Sequence, residues 1–196
     1  PAESKQVLAS AIDQAAEAIT EGRDTVQGLR ASAAETNDLA DSLRALAEDL
    51  AHENGDHASL HIEVQGTPRA LHPIVRDEVF RIAGEALRNA FRHADAKQIE
   101  VELRYDDRHL RVRVRDDGKG IDPEVLRAGG QEGHFGLAGM RERAKLAGGT
   151  LTVWSGLDAG TEVELRIPGP RAYSSPSPAR SWLAQKVFGP SDTGDS

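Results

Sequence analysis

The chain has 196 residues, of which 38% are hydrophobic, and its formal net charge is -8 at pH 7. This size and apolar content suffice for one domain with a buried core. The negative charge argues against nucleic acid or an anionic membrane as the main partner, so a bound phosphate would need local cations, backbone N–H groups or a metal. The chain has no cysteine, which excludes disulfides, thiolate zinc sites and cysteine nucleophiles.

The sequence carries no membrane-spanning or targeting signal. No apolar run approaches the roughly 20 residues that cross a bilayer, and no signal peptide opens the chain. We therefore expect a soluble piece without membrane contact of its own. Because the first residue is Pro1 rather than methionine, we also expect a fragment of a longer protein.

The first 54 residues predict a helical segment. Apolar residues recur at helical spacing from Val7 to Ile19, and Gly22 ends or weakens this first helix. A second helix is predicted from Thr36 to about Ala51. One stripe of this second helix is leucine at four positions: Leu39, Leu43, Leu46 and Leu50. The stripes either pack into a core or form a dimerising stalk, and the residues alone leave both alternatives open.

A strand and a long helix follow. The segment "SLHIEVQG" alternates apolar and polar residues before a Gly-Thr-Pro turn, which is typical of a half-buried strand. In residues 74–94 the apolar side chains recur at about 100° per residue, which predicts a helix. Glu85, Asn89 and His93 form a polar column along one edge of its apolar face. Polar groups at the margin of a buried face are where a helix can meet a ligand.

Two more strands, separated by the turn "DDRH", predict a hairpin. The apolar side is formed by Ile99, Val101, Leu103, Tyr105, Leu110, Val112 and Val114. The other side carries Glu100, Glu102, Arg104, Arg111, Arg113 and Arg115. We expect opposite charges to pair across a solvated sheet face, so the arginine run is interpreted as structural rather than as a nucleic-acid contact.

The remaining sequence predicts a loop, a helix, two strands and a tail. Residues 122–135 lose periodicity and gather glycines, which indicates a mobile loop. A helix is predicted from about Leu137 to near Gly148, and the strands "TLTVWS" and "TEVELRIP" follow. From Gly169 onward the chain is rich in Pro, Ser and Gly, so we expect it to be unstructured.

Several known motifs fail. The only Gly-Lys pair, Gly118-Lys119, is followed by Gly120, which excludes a P-loop. Reading "RDDGKG" as a calcium loop would put Arg113 and Arg115 at the first ligand positions, so an EF-hand fails on charge. The "VAIK" strand and "HRD" loop of eukaryote-type protein kinases do not occur, and the histidines lack metal-ligand spacing.

Four short segments remain: "EALRNAFRHA" on a helix, "DDGKGI" at a strand end, "GHFGLAGM" at a helix start and "GTEVEL" on a late strand. Each is weak alone, but their order and spacing are specific. Over roughly residues 60–168 they resemble the ATPase and kinase superfamily shared by DNA gyrase, the heat-shock chaperone ATPases, mismatch-repair ATPases and bacterial histidine kinases. The first segment resembles its N box, the next two resemble its glycine boxes, and the loop between them resembles its ATP lid.

The resemblance implies an α+β fold. This would be a two-layer α/β sandwich of the Bergerat type, in which helices cover one face of a mixed, mainly antiparallel sheet. Residues 1–54 would be the end of the dimerisation helices and a linker, 55–168 the ATP-binding catalytic domain, and 169–196 a disordered tail.

The resemblance also implies site residues for ATP and Mg²⁺. Asn89 would hold the Mg²⁺ that bridges the phosphates, and Asp116 would accept a hydrogen bond from the adenine amino group. The residues expected beside the base are Gly118, Gly120, Ile121 and Thr161. Phosphate would meet the helix start at Gly136 and Leu137, and His134 stands where the family's "GxGLG" pattern has its first glycine.

The chemistry of these residue types agrees with that assignment. A carboxylate is a pure acceptor and distinguishes adenine's amino group from guanine's carbonyl. An asparagine oxygen suits Mg²⁺, which keeps several waters and takes other ligands from phosphates. Glycines let a backbone approach a ligand, and a helix N-terminus offers N–H groups to phosphate. Asp116 is favoured over Asp117 because it shares the inward register of Val112 and Val114.

Two assignments stay open. The acid that matches Glu85 is a general base in the ATPase branches, whereas a histidine kinase must avoid hydrolysis. Glu85 therefore either activates water or positions Mg²⁺ or water. Arg92 and His93 either solvate the helix end or contact phosphate.

Within the superfamily, "HPIVRDEVFRIAGEALRNAFRHADA" and "GHFGLAGMRERA" are most similar to sensor histidine kinases that pair with helix-turn-helix response regulators, especially large sensors with periplasmic propellers. This implies the cytoplasmic catalytic domain of an inner-membrane sensor. No histidine precedes His52, so we expect the phosphoacceptor histidine on a dimerisation helix outside this chain, in the same protein or a partner protomer. A response regulator would receive the phosphate, and a homodimer is one possible assembly.

Two other functions remain as alternatives. One is a superfamily ATPase that uses Glu85 as general base, and the other is a non-catalytic nucleotide-sensing dimerisation module. Rapid ATP turnover by the isolated chain would favour the ATPase. Dimerisation without any nucleotide binding would favour the sensing module.

Overall fold

The computed structural model describes residues 39–55, 58–122 and 135–174. The described residues form four helices and five strands: α1 (Leu39–Glu53), β1 (Ser59–Gln65), α2 (Pro73–His93), β2 (Gln98–Tyr105), β3 (His109–Asp116), α3 (Phe135–Leu146), β4 (Thr150–Ser155), β5 (Thr161–Pro168) and α4 (Gly169–Ala172). The first predicted helix and nearly all of the predicted loop lie outside the described residues. Within the described ranges, no helix combines the length and the apolar composition needed to cross a bilayer.

The five strands form one mixed sheet in the order β1-β2-β3-β5-β4. β1 and β2 are parallel, because α2 lies between them in the chain and returns it to the same end of the sheet. The other three neighbouring pairs are antiparallel, and the β2–β3 pair is the predicted hairpin. The predicted mixed, mainly antiparallel sheet is therefore confirmed.

One face of this sheet is apolar, because alternate residues of a strand point to the same side. Ile99, Leu103 and Leu110 on that face are fully shielded from solvent. The helices contribute Leu87 of α2 and Met140 of α3 to the same core cluster. The sheet and its covering helices make two layers around one core, which confirms the predicted α+β sandwich.

The opposite face of the sheet carries a network of ion pairs. Glu102 accepts hydrogen bonds from Arg111 and from Nη2 of Arg113, the latter at 2.8 Å. Arg104 faces Arg111 across the hairpin, so one of the three expected pairs joins like charges. Arg111 turns instead to Glu102 and to Glu164, whose carboxylate is 3.6 Å away. The sheet itself supplies partners for Arg111 and Arg113, which supports the structural interpretation for these two arginines.

Helix α1 packs along α2 within the same core. Its leucine stripe is buried, and Leu43 is fully shielded. A methyl group on Gly84 of α2 would lie 3.0 Å from Cδ2 of Leu46, so this glycine permits a close helix contact. Glu53 and Arg92 approach to 3.5 Å near the C-terminal ends, which means that the two helices run parallel. The stripe of this second helix therefore belongs to the core, the first of the two alternatives.

The packed domain extends beyond Pro168. Residues 169–172 form α4, and Tyr173 then makes an isolated β-bridge with Leu71. Ala172 and Tyr173 are buried in the main core. The expectation of an unstructured chain from Gly169 onward does not hold for residues 169–174, because composition carries no information about the distant residues that bury Tyr173. The rest of the expected tail lies outside the described residues.

Candidate functional site

The ends of β3 and β4 and the starts of β2 and β5 meet at one corner of the apolar sheet face. Register pairs Ile99 of β2 with Asp116 of β3. Asp116 is in turn paired with Thr161 of β5, and Thr161 with Ser155 of β4. Because residues paired across neighbouring strands point to the same side, the four side chains form one row. The row sets three polar side chains at the edge of the apolar core.

Asp116 is the buried carboxylate of this row. Its residue is 7% exposed, and its Oδ1 accepts hydrogen bonds from the backbone N–H of Gly118 at 2.9 Å and of Thr161 at 3.3 Å. None of the described residues donates a hydrogen bond to Oδ2. Burial raises the pKa of Asp116, although the two N–H donors oppose the rise. The carboxylate is therefore oriented by the backbone and keeps one oxygen for a further donor.

Asp117, the next residue, has a structural task. Its Oδ1 accepts hydrogen bonds from the backbone N–H of Lys97 and of Gln98, each at 2.8 Å. The hydrogen bond from Gln98 is the main cause that lowers the pKa of Asp117. These bonds fasten the start of β2 to the exit of β3. The sequence-based preference for Asp116 as the ligand-facing aspartate agrees with this division.

Ser155 organises the corner and was not identified from the sequence. Its hydroxyl donates to the carbonyl of Gly160 at 2.9 Å and accepts from the N–H of Ile121 at 2.8 Å. Its Oγ also lies 3.0 Å from Oγ1 of Thr161. A serine has a single hydroxyl proton, so the Thr161 hydroxyl is the donor to Ser155 and keeps its lone pairs for another group. Strand alternation in "TLTVWS" already put Ser155 in register with the inward residues, which was the available signal.

Both expected glycines after β3 have a packing reason. A methyl group on Gly118 would lie 2.7 Å from Cβ of Ala94, at the end of α2, and would clash with that residue's carbonyl oxygen. Gly120 has φ +73°, and a methyl group there would clash with the carbonyl oxygen of Gly156. Lys119 also donates its backbone N–H to Ala94 at 2.9 Å. The glycines thus bring the strand exit against α2, and their proximity to a base stays a prediction.

The polar column of α2 runs away from this corner. Asn89 is half-buried, and no described residue forms a hydrogen bond with its side chain. His93 is exposed near the end of the helix. At about 1.5 Å of rise per residue, roughly 13 Å of helix separates Ala94 from Glu85. Asn89 therefore lies between the strand corner at one end and Glu85 at the other.

Glu85 faces the amino-terminal end of α3. A methyl group on Gly136 would lie 2.6 Å from Oε1 of Glu85, so the carboxylate rests against the first turn of that helix. Leu137 anchors the turn, because its side chain is buried in the core. The structure therefore brings Gly136 and Leu137 to the same end of the polar column as Glu85. His134 lies outside the described residues.

The structure gives two cations of α2 partners that the sequence did not predict. Arg92 points to Glu53 of α1, at 3.5 Å, rather than to a described residue of the site. Arg88 is buried and donates from Nε to Oε2 of Glu85 at 3.2 Å. The sequence alone assigned no role to Arg88, because no local signal distinguishes a buried arginine from an exposed one.

The donor set suits Mg²⁺ bound together with phosphates. No cluster of three or more His, Asp or Glu side chains that could hold a metal occurs among the described residues. The side-chain oxygen of Asn89, a single neutral ligand, would share a cation with phosphate oxygens and water, which is the coordination that Mg²⁺ favours. The Asp116 carboxylate, whose Oδ1 is held by two backbone N–H groups, similarly suits a base with an exocyclic amino group.

Comparisons with known proteins identify the family. Residues 74–171, half of the chain, match the family described as Histidine kinase-, DNA gyrase B-, and HSP90-like ATPase. The chain therefore belongs to this family, as its four short segments implied.

Its relatives are sensor histidine kinases. Sensor histidine kinase YxjM of Bacillus subtilis (strain 168) is 33% identical over 167 residues, which cover 85% of this chain and 38% of YxjM. LiaS, from the same organism, is 33% identical over 154 residues, which cover 79% of this chain and 41% of LiaS. The chain thus spans about two fifths of the length of these relatives.

A solved structure shows the same architecture. The histidine kinase domain from the Erythrobacter litoralis EL346 blue-light activated histidine kinase superimposes with a TM-score of 0.54 at 27% identity. The match covers 71% of this chain and 66% of that one. Fold and family together identify the described domain as an ATP-binding domain of the histidine kinase type.

Proposed function

We propose that this chain is the ATP-binding catalytic part of a two-component sensor histidine kinase. It binds Mg-ATP and transfers the γ-phosphate to a histidine on a dimerisation helix outside this chain. A response regulator then receives the phosphate. In the parent protein this part would be the cytoplasmic end of an inner-membrane sensor, acting within a homodimer.

The buried carboxylate of Asp116 carries the proposal. Its Oδ1 is held by the amides of Gly118 and Thr161, which leaves Oδ2 as the acceptor for a ligand. A carboxylate that cannot donate selects adenine's amino group and rejects guanine's carbonyl oxygen. Thr161, Gly120 and Ile121 surround the same corner and would border the base.

The phosphate end of the site would lie along α2 toward α3. Asn89 would coordinate Mg²⁺, which when bound neutralises phosphate charge and holds the γ-phosphate in line for transfer. The amides at Gly136 and Leu137 would receive phosphate, since a helix N-terminus presents N–H groups with no partner in the helix. Arg92 and His93 would act on phosphate only after a change of partner or side-chain direction. His134 would belong to the lid.

A superfamily ATPase is the second candidate, because Glu85 lies beside the start of α3 where the terminal phosphate is expected. There it could take a proton from an attacking water. Its pairing with Arg88 favours the kinase, since one carboxylate oxygen is already engaged. Rapid ATP turnover by the isolated chain would decide for the ATPase.

Nucleotide binding is the first test. Calorimetry should detect ATP and ADP but not GTP with the parent chain. Asp116→Ala should abolish binding, because the base loses its only charged partner, whereas Asn89→Ala should mainly remove the Mg²⁺ dependence. Parent-like binding of Mg-ATP by both variants would show that the site is wrong.

Phosphotransfer is the second test. The chain, Mg-ATP and a second chain carrying the preceding helix are mixed, and acid-labile phosphohistidine is measured. The kinase proposal expects label on the helix, and Asp116→Ala should prevent it. Nucleotide binding and dimerisation without transfer to any supplied helix would favour the non-catalytic module.

A further inference from the structure

Arg88 is a buried cation in the middle of the helix that carries the proposed site. Its residue is only 8% exposed, and it lies one turn after Glu85 and directly before Asn89. Removing a guanidinium from water is costly unless partners meet its charge. Glu85 does so through the hydrogen bond from Nε of Arg88 to Oε2 at 3.2 Å. The two residues therefore form a partly buried ion pair at the edge of the site.

The pair reaches from α1 to α3. A methyl group on Gly84 would lie 3.6 Å from Nη1 of Arg88 and 3.0 Å from Cδ2 of Leu46. The guanidinium therefore lies near Leu46, a core residue of α1. On the other side, Oε1 of Glu85 rests against Gly136 of α3. Arg88 thus has a packed position, and this position sets the direction of the Glu85 carboxylate.

We propose that Arg88 is a positioning residue that keeps Glu85 from activating water and so protects bound ATP from hydrolysis. The inference rests on the proposed function, because a kinase must hold ATP until its histidine arrives. A general base needs a carboxylate oxygen in hydrogen-bond reach of an aligned water. Here Oε2 is engaged by Arg88, so Glu85 has only Oε1, which lies beside Gly136, to offer to an attacking water.

The suppressed reaction is simple hydrolysis. A water oxygen forms a bond to the γ-phosphorus while the bond from that phosphorus to the β,γ-bridging oxygen breaks. ADP leaves with the bonding electron pair, and the proton of the water passes to Glu85 and then to solvent. Transfer to histidine uses the lone pair of an imidazole nitrogen instead, so it needs no proton removal from water.

Arg88→Met in the full chain tests the inference. Release of inorganic phosphate from Mg-ATP should rise about tenfold or more, because general-base catalysis typically contributes roughly 10²–10⁴-fold. Adding Glu85→Gln should return the rate to the parent value, since the amide cannot take the proton. Arg88→Lys keeps a charged donor and should restore part of the protection.

Arg143→Met is the matched control. Arg143 of α3 and Glu78 of α2 form a part-buried ion pair at 3.5 Å. Glu78 lies on the same helix as Glu85, two turns before it. This variant should leave hydrolysis unchanged. Thermal unfolding without nucleotide supplies a readout other than activity: losses from Arg88→Met and Glu85→Gln should be less than additive if the residues act as a pair.

The outcomes separate the inference from the proposed function. Unchanged hydrolysis in Arg88→Met with ADP binding intact, or a rise that persists after Glu85→Gln, would overturn the role of Arg88 alone. Absence of ADP binding by the parent chain would overturn the proposed function together with it. If Arg88→Met does not fold, Arg88→Gln keeps a polar head without charge and must show the same rise.

Discussion

At the scale of single residues, Asp116 and Asp117 at the end of β3 have different surroundings although their side chains are identical. Asp116 points into the domain, where burial raises its pKa. Asp117 points the other way and accepts two backbone N–H groups, which lowers its pKa. Alternation along β3 separates them, because successive side chains lie on opposite faces. Asp116 thereby keeps Oδ2 without a donor among the described residues, whereas Asp117 holds two strands together.

Asp116→Asn should change base selectivity. The amide oxygen can still accept from Gly118 and Thr161, so Nδ2 replaces the oxygen expected to face adenine. Affinity for ADP should fall by about tenfold to a hundredfold, equivalent to roughly 1.5–3 kcal/mol for a hydrogen bond to a charged group. Affinity for GDP should rise, because the new donor matches the guanine carbonyl. Calorimetry with both nucleotides checks this, and an unchanged ratio of affinities would contradict it.

The same variant should alter stability with pH. The pKa of Asp116 is raised above the ordinary value of 3.8. Between the ordinary and the raised pKa the folded chain binds more protons than the unfolded chain, so the free energy of unfolding falls as pH rises. The advantage of Asp116→Asn over the parent should therefore grow across this window and stay constant above it. Unfolding measured from acid to neutral pH would refute the argument if the difference did not vary.

At the scale of elements, the site depends on how closely the exit of β3 approaches the end of α2. Gly118 sits against Ala94, and the N–H of Lys119 is bound to the Ala94 carbonyl. This contact fixes the position of Asp116 relative to the polar column of α2. The contact is this close because glycine has no side chain, since any Cβ at Gly118 would overlap the backbone of Ala94.

Gly118→Ala should therefore destabilise the fold by about 1–3 kcal/mol, the usual cost of overpacking. It should also weaken ADP binding, since the strand exit must move away from α2. Gly139→Ala is the control: among the described residues no atom lies within 4 Å of a methyl group there, and alanine is preferred inside a helix by about 1 kcal/mol. Denaturant unfolding should give opposite signs for the two substitutions. A mild effect at Gly118 would mean that the contact is looser than described.

At the scale of the whole molecule, α1, the sheet and the residues after β5 share one core. α1 contributes its leucine stripe to this core. Ala172 of α4 and Tyr173 contribute to it from the other end of the described chain. Tyr173 lies under Arg69, whose guanidinium carbon is 3.9 Å from the ring centre, and its hydroxyl donates to the carbonyl of His109 at 3.0 Å. The C-terminal residues thus join the β1–α2 connection to the start of β3.

Two shortened chains test these C-terminal contacts. A chain ending at Ser174 keeps all the described residues and serves as the reference. A chain ending at Pro168 loses the buried Ala172 and Tyr173, so it should lose about 2–5 kcal/mol, the range for large truncations in a core. Denaturant titration of the three chains is the measurement. Equal stability of both shortened chains would show that the C-terminal contacts contribute little.

Local pattern was sufficient to predict much of the fold and to place several of the candidate site residues on their elements. Alternation put Val112, Val114 and Asp116 on one face, and helical spacing put Glu85 and Asn89 along one edge of α2. Both are consequences of backbone geometry, since strands repeat every two residues and helices every 3.6. The order of the four short segments then implied the family, which the comparisons show.

Tertiary structure alone decided the remaining features. The leucine stripe of α1 could have met another chain, but it packs on α2 beside Gly84. Arg88 has no distinguishing local signal, and the structure buries it against Glu85. Tyr173 stands at the start of a tail with disordered composition and enters the core. Each outcome depends on residues far away in the chain, and a free-energy balance between distant groups leaves no trace in local periodicity.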